Sequence, residues 1–360
     1  MFPDRRKNAT GQWLEIRELD EKPTGPRFTF RAEAELGCEK LAPAEIELTA
    51  VKVRMAAGEF EFIRWLRGRI PPDSRVVLGP GDDCAVLARP GSDVLITTDV
   101  LTEGVDFRLA EVGGRAVGRK AMAVNLSDIA AMAGRPTAAV VGLVLPAGPG
   151  SRALAEDIFL GIEEVAKQFD VAVVGGDTNA WDGGLVISVS VMGETTGTGA
   201  VPRSGAKPGD WIFVTGPLGG SILGRHLNPT PRIEAARLLH QFVRLTAMAD
   251  ISDGLAADLN HILEESGCGA ELVAEAIPIH ADAVRLGART QRSALDHALH
   301  DGEDFELVFT LSPEGGEKLS KEMPWPGLFK IGDCTKSGLT LIEKGASRAL
   351  QPRGWSHEVV

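Results

Sequence analysis

Acidic residues recur at glycine-rich turns that follow short apolar runs, and this pattern constrains the fold more than any other feature of the 360-residue chain. The ends of strands and helices lie at the surface of a fold, where loops carry functional residues. Acids placed at several such ends can therefore meet around one cleft. The five turns with this pattern contain Asp82–Asp83, Asp99, Asp177, Asp250–Asp253 and Glu303–Asp304. Asp128 differs, because it lies inside a helical pattern.

The apolar runs between these turns predict strands and helices in a mixed order. Apolar runs predict strands at residues 94–99, 138–145, 171–175 and 185–192, whereas helical spacing predicts a helix at residues 112–133. Further helices are expected near residues 151–168, 218–226, 233–246 and 254–266. Because the chain has no strict β-α-β repeat, we predict an α+β fold rather than a doubly wound parallel sheet.

The length of the chain makes two domains the expectation, at about 150 residues for each domain. A loop rich in glycine and proline at residues 197–209 suggests the internal boundary. We therefore predict an N-terminal domain at residues 55–200, which binds ATP and magnesium and forms a dimer, and a C-terminal α+β domain at residues 201–360. Residues 1–54 have weak apolar periodicity and carry no net charge, so we expect them to be an accessory or extension segment of unknown role.

Composition excludes several classes of partner. The 38 basic and 50 acidic residues give a net charge of −12, which argues against a general nucleic-acid binder. No stretch approaches the roughly 20 apolar residues that a membrane-spanning helix needs. The four cysteines are scattered without a C-x-x-C pair, a usage typical of reduced thiols. We expect a cytoplasmic protein with no nucleic-acid or membrane partner.

Converging carboxylates predict a metal site. Ionised carboxylates repel one another unless cations neutralise them, and oxygen ligands favour Mg²⁺, which often bridges to substrate phosphates. Glycines beside the acids allow backbone N–H groups to approach phosphate oxygens. A single aspartate beside a glycine is more often a turn or a helix cap, so the prediction depends on the five turns together. The sequence has neither a P-loop nor the protein-kinase motifs, yet it predicts phosphoryl transfer or nucleotide-dependent ligation.

Taken in order, the motifs resemble those of the thiamine-monophosphate kinase family, within the aminoimidazole ribonucleotide synthetase-like ATP-binding superfamily. The most specific matches are the blocks Lys120–Met132 and Arg203–Asp210, whereas the short aspartate turns are less specific. The resemblance extends over residues 57–357. It implies a two-domain α+β fold in which N-terminal strands of two chains form the β-barrel of a homodimer.

The resemblance also implies an activity and a set of site residues. The activity is phosphorylation of thiamine phosphate to thiamine diphosphate by ATP, through direct in-line attack with several Mg²⁺ ions. The positions that match magnesium ligands are Asp83, Thr97, Thr98, Asp99, Asp128, Asp177, Asp250 and Asp253. Of these, the ones expected to be catalytic are Asp83, Asp99, Asp128, Asp177 and Asp253. The positions that match nucleotide contacts are Phe159, Gly176, Asp177, Arg203 and Ser252. The substrate positions are Asp106, Glu303 and Trp355.

Two of these residues carry specific expectations. Arg203 is expected to clamp a phosphate, because its planar guanidinium matches phosphate oxygens. Asp106 departs from the family pattern, which often has histidine there, and an ionised aspartate would repel a substrate phosphate unless a metal intervened. Two alternatives therefore remain open. One is a superfamily relative that uses another phosphate or carboxylate acceptor, and the other is a non-catalytic nucleotide-binding regulator.

Overall fold

The computed structural model describes residues 5–7, 13–15, 63–64, 67–322 and 327–356. The chain divides into two units, Met1–Val53 and Arg54–Val360. In the first unit, the strands β1 (Arg5–Lys7) and β2 (Trp13–Glu15) pair antiparallel. Most of the predicted accessory segment 1–54 lies outside the described residues, so its role stays a prediction. Across the described ranges, no helix has the length and the apolar character needed to cross a membrane.

The second unit contains a six-stranded mixed sheet. Its strands are β3 (Val76–Leu78), β4 (Ala85–Leu87), β5 (Val94–Thr102), β6 (Arg135–Pro146), β7 (Ala172–Trp181) and β8 (Val186–Glu194). The strand order is β3-β4-β5-β8-β6-β7, in which β6 and β7 are parallel and all other neighbours are antiparallel. Since β3 and β7 are edges, the described sheet of one chain is open rather than a closed barrel.

Two long helices accompany this sheet, α1 (Leu109–Ala131) and α2 (Ser151–Gln168). The backbone leaves the helical region at Gly113 (φ 75°, ψ 162°), so α1 runs without interruption only beyond this residue. Alternate side chains of β8, at Ile187, Val189 and Val191, are buried in the core, as expected for a strand with one covered face. The helix α1 is buried over most of its length, polar residues included. It therefore runs through the core instead of over the surface.

The rest of the second unit is built on a seven-stranded mixed sheet. Its strands are β9 (Trp211–Val214), β10 (Ala247–Asp250), β11 (Gly269–Val273), β12 (Leu307–Leu311), β13 (Phe329–Thr335), β14 (Leu339–Glu343) and β15 (Ala346–Ala349). The order is β10-β12-β9-β13-β11-β14-β15. The helices are α3 (Ile233–Phe242), α4 (Leu255–Ser266), α5 (Ala281–Gly287), α6 (Ala294–His300) and α7 (Pro313–Glu322).

The α+β class predicted from the sequence is confirmed, with one local error. Residues 218–226 do not form an α-helix but two short 3₁₀ turns, Ser221–Leu223 and Arg225–Leu227. Gly219 and Gly220 precede them with φ of 89° and 74°. This left-handed backbone is accessible to glycine and interrupts a helix. The loop thus approaches the 301–304 segment, where the N–H of Gly219 donates to Asp304 (2.7 Å).

The helices α1 and α2 approach each other closely at two glycines. A Cβ atom on Gly161 would lie 2.1 Å from the backbone oxygen of Arg115, and one on Gly118 would lie 2.0 Å from the backbone oxygen of Ile158. Neither oxygen belongs to a side chain that can rotate away. This contact fixes the position of the helix that carries Lys120 and Asp128.

We expect Gly161→Ala to lower the free energy of unfolding by about 1–3 kcal/mol, because forced overpacking outweighs the roughly 1 kcal/mol that alanine adds to a helix. Denaturant unfolding measures the change. Gly197→Ala is the control, since a Cβ there would meet nothing within 4 Å. Equal stability of the two variants would contradict the close contact of the helices.

Candidate active site

A cavity of about 930 Å³ lies in the second unit, between α1, the end of β5 and the segments around residues 250 and 303. Most residues that the sequence singled out line this cavity. Those present in its wall are Asp83, Thr97, Thr98, Asp99, Asp106, Asp128, Arg203, Asp250, Ser252, Asp253, Glu303 and Trp355. The structure therefore brings together acids that are far apart in the sequence, as the turn pattern predicts.

Three of these acids form a compact cluster, which we call the acid cluster: Asp83, Asp128 and Asp250. One carboxylate oxygen from each lies within 4.8 Å of the others. The three come from the turn before β4, from α1 and from the last residue of β10. The hydroxyl of Thr97 donates to Asp128 (2.5 Å), and that of Ser127 donates to Asp250 (2.6 Å). A turn, a helix and two strands thus hold the carboxylates side by side.

Burial and mutual repulsion disfavour the charged forms of these acids. Burial and the Asp83 charge raise the pKa of Asp250 to about 8. Burial, followed by the charges of Asp99 and Asp250, raises the pKa of Asp128 well above its usual value. Burial and the charge of Asp106 raise the pKa of Asp99 to about 6. These carboxylates cannot all ionise together without repelling one another, and a bound divalent cation would remove that repulsion. Carboxylate oxygens are also the ligands that Mg²⁺ prefers, so the three acids fit a magnesium site.

Arg203 already compensates part of this charge. Its Nε and Nη2 donate to the two oxygens of Asp83 (3.1 and 2.8 Å), and its backbone N–H donates to Asp82 (2.6 Å). Burial opposes the charge on the guanidinium, but the Asp83 carboxylate outweighs it and raises the pKa of Arg203. The phosphate-clamp role expected of Arg203 stays a prediction, since two of its nitrogens bind Asp83 in this structure.

Polar residues that sequence reasoning missed support the acids. The fully buried Asn125 accepts a hydrogen bond from the N–H of Asp99 (3.0 Å) and so ties β5 to α1. Asp258, in the first turn of α4, accepts from the N–H groups of Asp253 and Gly254 (3.0 and 2.9 Å). Asp253, Asp258 and His261 also have possible ligand atoms within 4.8 Å of one another. An acid in the first turn of a helix is a known capping signal, which could have identified Asp258.

Three predicted nucleotide residues lie elsewhere. Phe159, Gly176 and Asp177 line a smaller cleft of about 320 Å³ between α2, β6 and β7. Asp177 is exposed in the middle of strand β7 and not at a turn. The expectation that all the acidic turns share one cleft is therefore wrong for Asp177 within a single chain.

The three predicted substrate residues all line the larger cavity. Asp106 accepts from the N–H of Thr102 (2.7 Å) and so closes its own turn. Trp355 is 55 % exposed, and its backbone N–H donates to the oxygen of Asp253 (2.9 Å). Burial favours protonation of Glu303, but a hydrogen bond with His226 and the charge of Lys120 lower its pKa. The cavity wall therefore includes an ionised carboxylate and an exposed tryptophan.

Comparison with known proteins identifies the class. Residues 81–195 match the N-terminal domain of AIR synthase related proteins, and residues 207–317 match their C-terminal domain. The chain is thus an AIR synthase related protein. It is 45 % identical to the thiamine-monophosphate kinase of Rhodopirellula baltica over 71 % of this chain and 83 % of that protein. It is 35 % identical to that of Bacillus subtilis over 83 % of this chain and 99 % of that protein. The chain belongs to the thiamine-monophosphate kinase family.

Solved structures agree with this assignment. AaThiL complexed with AMPPCP and TMP is similar with a TM-score of 0.73 and 31 % identity, over 83 % of this chain and 97 % of that chain. The thiamine-monophosphate kinase of Stenotrophomonas maltophilia is similar with a TM-score of 0.61 and 33 % identity, over 80 % and 98 %. The resemblance inferred from the motifs is confirmed.

The raised pKa values predict how stability depends on pH. The folded protein holds protons on Asp99 and Asp250 up to about pH 6 and about pH 8, whereas the unfolded chain releases them near pH 4. The folded state therefore binds more protons, and the stability of the metal-free protein falls as pH rises through this range. We expect Mg²⁺ to raise Tm strongly above about pH 8 and little near pH 5, where protons compete.

Thermal unfolding with and without Mg²⁺ at these two pH values measures the effect. Sodium chloride at matched ionic strength is the control for screening. A Tm of the metal-free protein that rises with pH, or equal effects of the two salts, would contradict the electrostatics of the acid cluster.

Proposed function

We propose that this chain transfers the γ-phosphoryl group of ATP to thiamine phosphate, giving thiamine diphosphate and ADP in thiamine diphosphate biosynthesis. The observation that carries the proposal is a single cavity whose wall contains the acid cluster together with Glu303 and Trp355. The family relatives are thiamine-monophosphate kinases. A structural relative holds AMPPCP, an ATP analogue, together with TMP. ATP and thiamine phosphate are therefore the substrates that we assign to the cavity.

We infer that Mg²⁺ ions bind at the acid cluster and the residues beside it. The proposed ligands in this cavity are Asp83, Thr97, Thr98, Asp99, Asp128, Asp250 and Asp253. Asp177 lines the smaller cleft, so we propose it as a ligand in the homodimer inferred below and not within a single chain. Bound Mg²⁺ supplies neutralisation of the phosphate charges, because two phosphorylated anions must otherwise overcome their repulsion. The positions of the carboxylates would determine where the Mg²⁺ ions bind, and therefore where the phosphate charges are neutralised. The fixed hydroxyls of Thr97 and Ser127 orient Asp128 and Asp250.

The chemistry we propose is a direct in-line displacement. An oxygen of the thiamine phosphate attacks the γ-phosphorus, and the bond to the bridging oxygen of ADP breaks. The described part of the cavity wall supplies positioning and charge, which is most of what phosphoryl transfer requires. No covalent phosphoenzyme is part of this proposal.

The two substrates occupy different walls in our proposal. We assign the cationic ring of thiamine phosphate to Glu303 and Trp355, since a carboxylate and an indole face both attract a cation. Asp106 then lies near the substrate phosphate, where its charge requires compensation. The nucleotide contacts that we propose in the larger cavity are Arg203 and Ser252. Phe159, Gly176 and Asp177 line the smaller cleft, so we propose them as nucleotide contacts in the homodimer inferred below and not within a single chain.

We further infer a homodimer in which the open six-stranded sheet closes into a barrel with the sheet of a second chain. The edge strand β7 supports this, because it exposes Val174 and Trp181 (65 and 51 %) and unpaired edges favour strand or sheet association. We also propose domains at residues 55–200 and 201–360. The first family match ends at residue 195 and the second begins at residue 207, so the proposed boundary lies between them. A cytoplasmic location remains the expectation.

ADP release with Mg²⁺-ATP, in the presence and absence of thiamine phosphate, tests the proposed function. We expect release that depends on thiamine phosphate. Release only with another phosphate or carboxylate acceptor would identify a superfamily relative with a different substrate. Nucleotide binding without any turnover would identify a regulator. Either result would contradict the proposed function.

We expect Asp128→Asn to reduce kcat by at least about 100-fold, because it removes charge from the acid cluster with almost no change in volume. The folded state should persist, since the asparagine carries no charge that burial disfavours and its amide oxygen can still accept the hydrogen bond from Thr97. Steady-state ADP release and thermal unfolding measure the two effects. Glu314→Gln, which removes an exposed carboxylate on α7, is the control. Near-native turnover of Asp128→Asn would exclude Asp128 as a metal ligand.

A further inference from the structure

A lysine whose side chain is almost fully buried forms part of the cavity wall beside Glu303. The side chain of Lys120, on α1, is 1 % exposed. Its Nζ donates to the backbone oxygen of Asp106 (2.7 Å), forms an ion pair with Glu303 and lies 3.3 Å from Nδ1 of His226. Three separate segments therefore meet at one ammonium group. They are the turn after β5, the loop before β12 and the second 3₁₀ turn.

The number of partners explains why this charge is stable inside the protein. An ammonium group has three N–H donors and no acceptor, and a buried charge is costly unless it is paired and hydrogen-bonded. Lys120 has three polar neighbours, one of which is a carboxylate. The geometry of the ammonium therefore restricts where each of the three partners lies.

Glu303 is held from several directions. Its backbone has φ of 61°, a left-handed conformation that residues other than glycine rarely adopt. Such a conformation persists only where the surrounding structure imposes it. Its N–H donates to the oxygen of Ser252 (2.7 Å), and its second carboxylate oxygen lies 3.3 Å from Nδ1 of His226. The side chain is nevertheless 31 % exposed and borders the cavity. It is thus fixed on one side and accessible on the other.

We propose that Lys120 is a positioning residue that presents the Glu303 carboxylate and the Asp106 turn to thiamine phosphate, with His226 as its buried partner. The role rests on the function proposed above. Lys120 holds the Glu303 carboxylate and the Asp106 backbone in place for thiamine phosphate. We assign it no contact with the nucleotide. Its loss therefore affects the recognition of one substrate more than that of the other.

The test uses Lys120→Met, Glu303→Gln and the double variant in the full chain. We expect Lys120→Met to raise KM for thiamine phosphate by about tenfold or more, while KM for ATP changes by less than about twofold. We expect Glu303→Gln to have a similar effect, and the double variant to be no worse than the more severe single variant. Lys207→Met, which removes an exposed lysine, is the matched control.

The double variant also serves if Lys120→Met does not fold. Removal of one partner of a buried pair leaves an uncompensated charge, whereas removal of both does not. We therefore expect the double variant to have a higher Tm than Lys120→Met and the same KM for thiamine phosphate as Glu303→Gln. A lysine that only stabilises the core would change kcat or both KM values together.

The outcomes separate the two proposals. A wild-type chain that does not turn over thiamine phosphate overturns the proposed function and this role with it. An active wild-type chain in which the Lys120→Met and Glu303→Gln effects multiply, or in which both KM values rise equally, overturns the positioning role alone.

Discussion

Repulsion among buried carboxylates that share one cleft is the constraint on which the rest of this structure depends. Asp83, Asp128 and Asp250 approach within 4.8 Å although burial raises the pKa of Asp250 to about 8. Such a group persists because other contacts over-determine it. Ser127 on α1 donates to Asp250 at the end of β10, and the guanidinium of Arg203 donates to both carboxylate oxygens of Asp83. The acid cluster lies where the long central helix meets the second sheet.

The site combines two opposite electrostatic arrangements. Around the acid cluster, three carboxylates face the single positive charge of Arg203, so the divalent cation that we propose there would relieve the remaining repulsion. In the substrate wall, Lys120 and Glu303 already neutralise each other. The first arrangement is completed by a bound cation in our proposal, whereas the second is preorganised without a ligand. A kinase that joins two anions benefits from both, since positioning and charge neutralisation supply most of its rate enhancement.

Much of this organisation could be predicted from the sequence, because local patterns report local structure. The apolar run at residues 185–192 and the helical spacing at residues 112–133 predicted β8 and α1 with bounds close to those observed. The acidic turns predicted a shared cleft, and most of these acids line one cavity. The error at residues 218–226 arose because left-handed glycines and a long-range bond to Asp304 override helical propensity. Asn125 and Asp258 were missed, since a buried polar residue gains its role from partners that only the tertiary fold supplies. Strand order and the separate cleft of Asp177 are likewise properties of long-range pairing.

The most direct test of the account is to locate the cations. A crystal grown with Mn²⁺, AMPPCP and thiamine phosphate gives anomalous scattering that marks each divalent ion. The account predicts anomalous peaks within coordination distance, about 2–2.3 Å, of carboxylate oxygens of Asp83, Asp128 and Asp250. A nucleotide complex with no anomalous peak at these three residues would contradict it.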